Sequence, residues 1–138
     1  MVNPLRRAWL GCALVAFVLA LPALKNGFML DDHYLVHART AGDVARAFVE
    51  PWGGGAGGEA HARVNAQYFR PLTETLYAVE HALFGEHAWG WHLVSALLHA
   101  LATALCVLLS ARIVRRDDAA RIAGLLFAVH PVDRKSVV

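Results

Sequence analysis

Trp89 to Val114 reads WGWHLVSALLHALATALCVLLSARIV, a run without an acidic residue whose only formal charge, Arg112, lies near its far end. Such a stretch is long enough as a helix to cross the hydrocarbon core of a bilayer. Trp89 and Trp91 stand at its start, where amphipathic indoles settle at headgroup level. A second uncharged run, AWLGCALVAFVLALPAL from Ala8 to Leu24, rises about 25 Å as a helix, at the short end of what crosses. A third begins near Ala119, and IAGLLFAVHP is too short to complete a crossing. The expectation is an all-α, polytopic membrane protein, of which this chain is an N-terminal piece.

Composition agrees. Of 138 residues, 57% are hydrophobic and 17% charged, and the apolar ones fall into runs, unlike the even spread of a soluble domain. The net charge of +2 is too small, and the basic residues too scattered, to suggest nucleic acid. Cys12 and Cys106 lie inside the apolar runs and read as small packing residues, which leaves the redox compartment open. The first run, preceded by Arg6 and Arg7, also has the outline of a secretory signal. Leu21-Pro22-Ala23 offers no small-x-small cleavage site and further spans follow, so an uncleaved first span is the reading adopted. Leu10-Gly11-Cys12 is no lipoprotein box, because the apolar core follows the cysteine.

The arrangement expected is a cytoplasmic N-terminus (1–7), a first transmembrane helix (8–24) and a long extracytoplasmic loop (25–88). A second transmembrane helix (89–111), a cytoplasmic link (112–121) and the start of a third helix (122–132) follow. Orientation comes from the basic residues near membrane ends: Arg6 and Arg7 before the first span, and Arg112, Arg115, Arg116 and Arg121 in the link. The loop spreads five basic residues over a far longer stretch, with only Lys25 near a membrane end. Residues 133–138, DRKSVV, break abruptly from the apolar run. GAT-CGG-AAG-AGC-GTC-GTG would encode them and reads like a sequencing adapter, so they are expected to be a non-native tail. The alternative is a genuine basic tail, and the source nucleotide sequence distinguishes the two.

Within the loop, Thr40-Ala41-Gly42-Asp43 has the form of a capping box with Asp for the usual Glu, opening a short helix over 41–49 before Pro51. Gly53 to Gly58 is a hinge almost without side chains. Pro71 suits the first position of a second helix over 71–84. There Leu72, Leu76, Val79 and Leu83 share one face, while Glu74, Ala78 and His81 lie on another. The pattern fits a helix lying along the membrane surface and, equally, one packed into an ordinary core.

Several residues carry chemical potential. Asp31-Asp32 places two carboxylates just past an apolar boundary, where low dielectric and mutual repulsion would suit one of them to act as a general base. The plainer reading is a solvated turn. Arg70 has the guanidinium to grip an anionic group, or is a surface charge before a proline. His92 and His99 lie seven apart on the second span with Ser95 between them, a polar stripe that faces protein or water and suits helix packing at least as well as substrate contact. His130-Pro131 ends the third run. The eight histidines show no dense ligand spacing such as HExxH, and no P-loop, GxGxxG or GxSxG occurs. No metal site and no certain cofactor is called for, although a divalent cation stays open.

Taken in order, N-G-F-x-x-D-D (Asn26 to Asp32), Y-F-R-P-L (Tyr68 to Leu72), A-L-F-G (Ala82 to Gly85), W-H-L-V-S-x-L-L-H (Trp91 to His99) and L-L-F-A-V-H-P-V (Leu125 to Val132) resemble the start of the GT-C glycosyltransferase superfamily. They look most like the branch of transmembrane, TPR-containing protein O-mannosyltransferases and their bacterial relatives. The similarity runs from about residue 8 to 132. Ser95 departs from the Asn common at that place, and the further spans and TPR repeats of the family are not in this chain.

The resemblance implies a polyprenyl-phosphate sugar as donor, a hydroxyl on a protein or glycan as acceptor, and transfer of mannose or another hexose at the outer face. By the resemblance Asp31 or Asp32 would be the catalytic base, Arg70 would hold the lipid phosphate, and His92, His99 and His130 would contribute to substrate binding. The implied setting is the bacterial inner (plasma) membrane with the lipid bilayer itself as partner. The chain alone would be inactive, since most of a substrate cavity would come from other helices. The rival readings are a transporter and a non-catalytic membrane scaffold; no broken apolar helix pair supports the first.

Overall fold

The computed structural model describes residues 4–29, 32–50 and 69–130. Asp31, the glycine hinge at 53–58, Pro131 and the tail at 133–138 lie outside the described residues. The chain divides into two compact units, Met1–Gly27 together with Trp89–Val138, and Phe28–Ala88. The described residues form helices and turns and no strand, giving the all-α membrane architecture expected from the apolar runs.

The first unit is built from three helices. α1 spans Pro4–Ala20 and continues as a 3-10 turn over Leu21–Lys25. Pro22 brings no backbone donor to that turn, which tightens there. α5 spans Ala88–Val114 and α6 spans Asp117–Val129. Ala8–Lys25, 18 residues, and α5, 27 residues, are each long and apolar enough to cross a membrane. The link is shorter than the expected 112–121: α5 runs to Val114 and α6 begins at Asp117, leaving Arg115 and Arg116 between them. Asp117 and Asp118 in the first turn favour the early start, because carboxylates complement the positive end of a helix. Arg115 takes the left-handed conformation at φ 55°, and its amide closes on the Ala111 carbonyl at 3.0 Å.

Small residues hold these helices together. α1 turns Ala8, Cys12 and Ala16 inward, α6 turns in Ala120, Gly124 and Ala128, and α5 contributes Ala96, Thr103, Ala104 and Val107. On α1 and on α6 the spacing is four residues, one face of a helix, and α1 and α6 pack on each other. The approach is close at Gly124, where an added Cβ would lie 2.2 Å from Val107 Cγ2 and 3.3 Å from Cys12 Sγ. Leu97, Leu98, Leu101, Leu105, Leu109 and Ile113 of α5 point outward. Lipid is as apolar as leucine, so membrane helices gain by bringing backbones together over small side chains while the large ones meet lipid. Trp91 departs from the reading of two interfacial indoles: it is buried, and Trp89 is the exposed one.

The second unit contains α2 (Asp32–Leu35), α3 (Ala41–Arg46) and α4 (Pro71–Phe84). The capping box at α3 is complete: Thr40 Oγ1 accepts from the Asp43 amide and Asp43 Oδ2 accepts from the Thr40 amide. These bonds, with the Arg46 guanidinium, hold the Asp43 carboxyl down at about 2. α3 ends at Arg46 instead of reaching Val49, where the amides of Phe48 and Val49 close on the carbonyls of Ala45 and Arg46 in tighter three-residue turns. α4 has Pro71 in its first turn and stops at Gly85, whose φ of 57° glycine adopts without strain.

Candidate functional site

α4 is inside out. Of the four residues whose spacing marks an apolar face, Leu72, Val79 and Leu83 are exposed, Leu72 by 76% and Leu83 by 70%, and Leu76 is half-buried. The buried positions are Glu74 and Glu80. Among the described residues the leucine face of this helix is covered by no protein core.

Arg39 meets the buried face. Its Nε donates to Glu74 Oε2 at 2.6 Å, with side-chain exposures of 1% for Arg39 and 9% for Glu74. Nη1 donates to the carbonyls of Leu35 at 2.9 Å and His37 at 3.2 Å, and the guanidinium carbon lies 5.1 Å from the centre of the Tyr77 ring. A planar fork over an aromatic face is a geometry that arginine can fill and lysine cannot. Taking two charges out of water is costly, and removing one partner of such a pair costs about 3–5 kcal/mol because the other is then buried alone.

The field in this cluster is uneven. Burial pushes the Glu80 carboxyl up to about 7, against an opposing pull from Arg39. Burial, then the negative charges of Glu80 and Glu74, raise the Tyr77 phenol as well. A carboxyl that titrates near neutrality is equipped to donate or accept a proton at physiological pH.

Asp32 opens α2, and its Oδ2 accepts from the Met29 amide at 3.0 Å, closing the turn that enters the helix. Arg70 is exposed and stands immediately before α4, where its carbonyl accepts from the Glu74 amide at 3.1 Å. These two belong to the loop unit with Arg39, Glu74, Tyr77 and Glu80. His92, His99 and His130 belong to the helical unit. His99 Nε2 donates to the Ala128 carbonyl at 3.2 Å and its ring stacks on Phe127 at 5.8 Å, joining α5 to the end of α6. His92 is buried, and its Nε2 meets no hydrogen-bond partner among the described residues. His130 is exposed and ends α6, its extended backbone conforming to the proline that follows.

Four residues of the loop cluster, Arg39, Glu74, Tyr77 and Glu80, were not among those the sequence singled out. A signal existed: Glu74, Tyr77 and Glu80 recur at intervals of three, a polar stripe that starts opposite Leu72 and ends beside Leu76 and Leu83. Nothing in that periodicity says which stripe is buried. Among the described residues no three His, Cys, Asp or Glu side chains gather as a metal ion would require.

Two fruit fly (Drosophila melanogaster) proteins are similar over nearly the whole chain. Protein O-mannosyl-transferase Tmtc2 is 34% identical over 131 residues, 91% of this chain and 14% of that protein. Protein O-mannosyl-transferase Tmtc1 is 32% identical over 139 residues, 92% of this chain and 15% of that protein. The mouse (Mus musculus) protein O-mannosyl-transferase TMTC2 is 36% identical over 69 residues, half of this chain and 8% of that protein. The chain therefore spans about one seventh of the length of the fly relatives. No family model matches it, and no solved structure matches it. With two helices able to cross a bilayer and relatives of this kind, the chain is a membrane protein. By sequence the chain is similar to one segment of proteins named as protein O-mannosyl-transferases, the group whose motifs it resembles.

Proposed function

We propose that this chain is part of a membrane glycosyltransferase that moves a sugar, mannose or another hexose, from a polyprenyl-phosphate donor to a hydroxyl on a protein at the outer membrane face. The observation that carries this reading is the similarity over nine tenths of the chain to proteins named as O-mannosyltransferases. The N-terminus and the arginine-rich link are cytoplasmic in this reading, and residues 25–88 are extracytoplasmic. The membrane is that of a bacterial cell, on the motif resemblance to bacterial members, although the relatives named above are animal proteins.

In the proposed reaction the acceptor oxygen attacks the anomeric carbon while Asp31 or Asp32 takes its proton. The bond from that carbon to the phosphate oxygen breaks, and the lipid phosphate leaves with the electron pair, so the sugar inverts. A phosphate leaving group needs charge stabilisation more than protonation, a role that suits the exposed Arg70. The orphaned Nε2 of His92 favours a polar substrate group as its partner, since an unsatisfied buried nitrogen costs about 1–3 kcal/mol. The exposed leucine face of α4 suits a helix resting on the bilayer, because Gly85 to His87 are the only residues between it and the membrane-crossing α5.

The test is made on the complete gene product in membranes. Asp31→Asn and Asp32→Asn are compared with wild type for transfer of sugar from a polyprenyl-phosphate donor, and a reporter fused at residue 60 checks topology. One of the two variants is expected to lose transfer while keeping the reporter outside. Wild-type transfer in both variants removes the acidic pair from the mechanism, and a cytoplasmic reporter overturns the orientation.

A further inference from the structure

We propose that Arg39 is the positioning residue that fixes the helix of the acidic motif against the segment carrying Arg70; the catalytic meaning of this rests on the function proposed above. The bonds form a continuous path through one guanidinium. On one side Arg39 Nη1 holds the carbonyl of Leu35, the last residue of α2, whose first residue is Asp32. On the other, Arg39 Nε holds Glu74, whose own amide donates to the Arg70 carbonyl. The third support, the Tyr77 ring, lies one turn further along α4.

Asp32 and Arg70 are 38 positions apart in the sequence, and residues 51–68 between them are rich in glycine. A separation of that length in sequence does not by itself set their distance. A side chain that reaches both does, and the nearly complete burial of the Arg39 side chain removes competition from water. The fork matters: the charge alone would bind Glu74, whereas binding the Leu35 and His37 carbonyls at the same time needs several donors in one plane. Arg39 touches no reacting atom in this scheme. It sets the distance between a base and a phosphate-binding cation, and errors of about 1 Å in such distances cost up to about a hundredfold in rate.

The experiment separates the two layers. Spin labels on cysteines introduced at the exposed Met29 and Leu72, with Cys12 and Cys106 replaced by alanine, report the separation of the two segments in the complete protein in nanodiscs. A narrow distance distribution is expected with Arg39 and a broad one with Arg39→Gln. Arg39→Lys keeps the charge and covers the case in which the Gln variant does not fold. It is expected to retain helicity by circular dichroism and still broaden the distribution. An unchanged narrow distribution in Arg39→Lys overturns the proposal. In the transfer assay Arg39→Lys should lower kcat by about tenfold while KM for a polyprenyl-phosphate mannose changes less than about twofold. An equal loss in kcat with wild-type KM in a control at an exposed arginine of the same unit, Arg46→Lys, would mark the effect as general and also overturn it. If the unaltered protein transfers no sugar, the functional reading fails, and the distance measurement still decides whether Arg39 sets the geometry.

Discussion

α4 and α6 are nearly equal in length, 14 and 13 residues, and they bury opposite chemistries. α6 turns Ala120, Gly124 and Ala128 inward and leaves Ile122, Leu125, Leu126 and Val129 outside. α4 leaves Leu72, Val79 and Leu83 outside, but the side it buries carries Glu80 and Glu74, the latter paired with Arg39. Both helices therefore invert the soluble rule by different means. In α6 the gain is close approach of backbones, for which the side chains need only be small. In α4 it is a directional network, strong when every partner is present and costly when one is missing.

The largest effect should come from breaking that network. Glu74→Ala leaves the Arg39 guanidinium buried without its carboxylate and is expected to destabilise the loop unit by about 3–5 kcal/mol. Faster amide hydrogen exchange along α4, with α5 and α6 unaffected, is the signature to look for. Unaltered exchange in α4 would mean that the pair contributes little to its packing.

Next in size is the small-residue seam. Gly124→Ala places a Cβ where Val107 Cγ2 already stands, and the β-branched valine has little freedom to move aside. A loss of about 1–3 kcal/mol is expected in thermal unfolding in detergent. Val107→Ala in the same chain should recover most of it. If the double variant is no better than the single one, Val107 is not what the glycine makes room for.

The smallest effect is a pH dependence confined to the loop unit. Burial raises the Glu80 carboxyl from 4.5 to about 7, so the folded unit holds that proton more tightly than the unfolded chain does. Stability is then full below about 4.5, falls as pH rises toward about 7, and levels off above it, by roughly 1–2 kcal/mol after allowance for solvent screening. Glu80→Gln, which cannot titrate, should flatten the profile of α4 exchange between these limits while α6 shows no such slope. A slope that persists in Glu80→Gln assigns the titration to another group.

Much of the helical unit was legible beforehand, because an uninterrupted apolar run specifies a membrane-length helix without reference to its neighbours. Cys12, read as a small packing residue, proves to sit in the seam beside Gly124. The helix ends around the arginine-rich link were less legible, since Asp117 and Asp118 in the first turn of α6 let the helix start within that polar stretch. The acidic motif was legible as a motif, whereas the residue that connects it to α4 was not. Arg39 sits in a stretch, VHART, with no periodicity to mark it as buried.

The sequence by itself determined which segments are helical and apolar enough to enter a membrane, and it carried the ordered motifs that relate the chain to the O-mannosyltransferases. Tertiary structure alone decided which face of α4 turns inward and which cation answers Glu74. Periodicity along a helix records that two faces differ in polarity, but whether the polar one is buried depends on a partner 35 residues away, and only the folded chain brings that partner into reach.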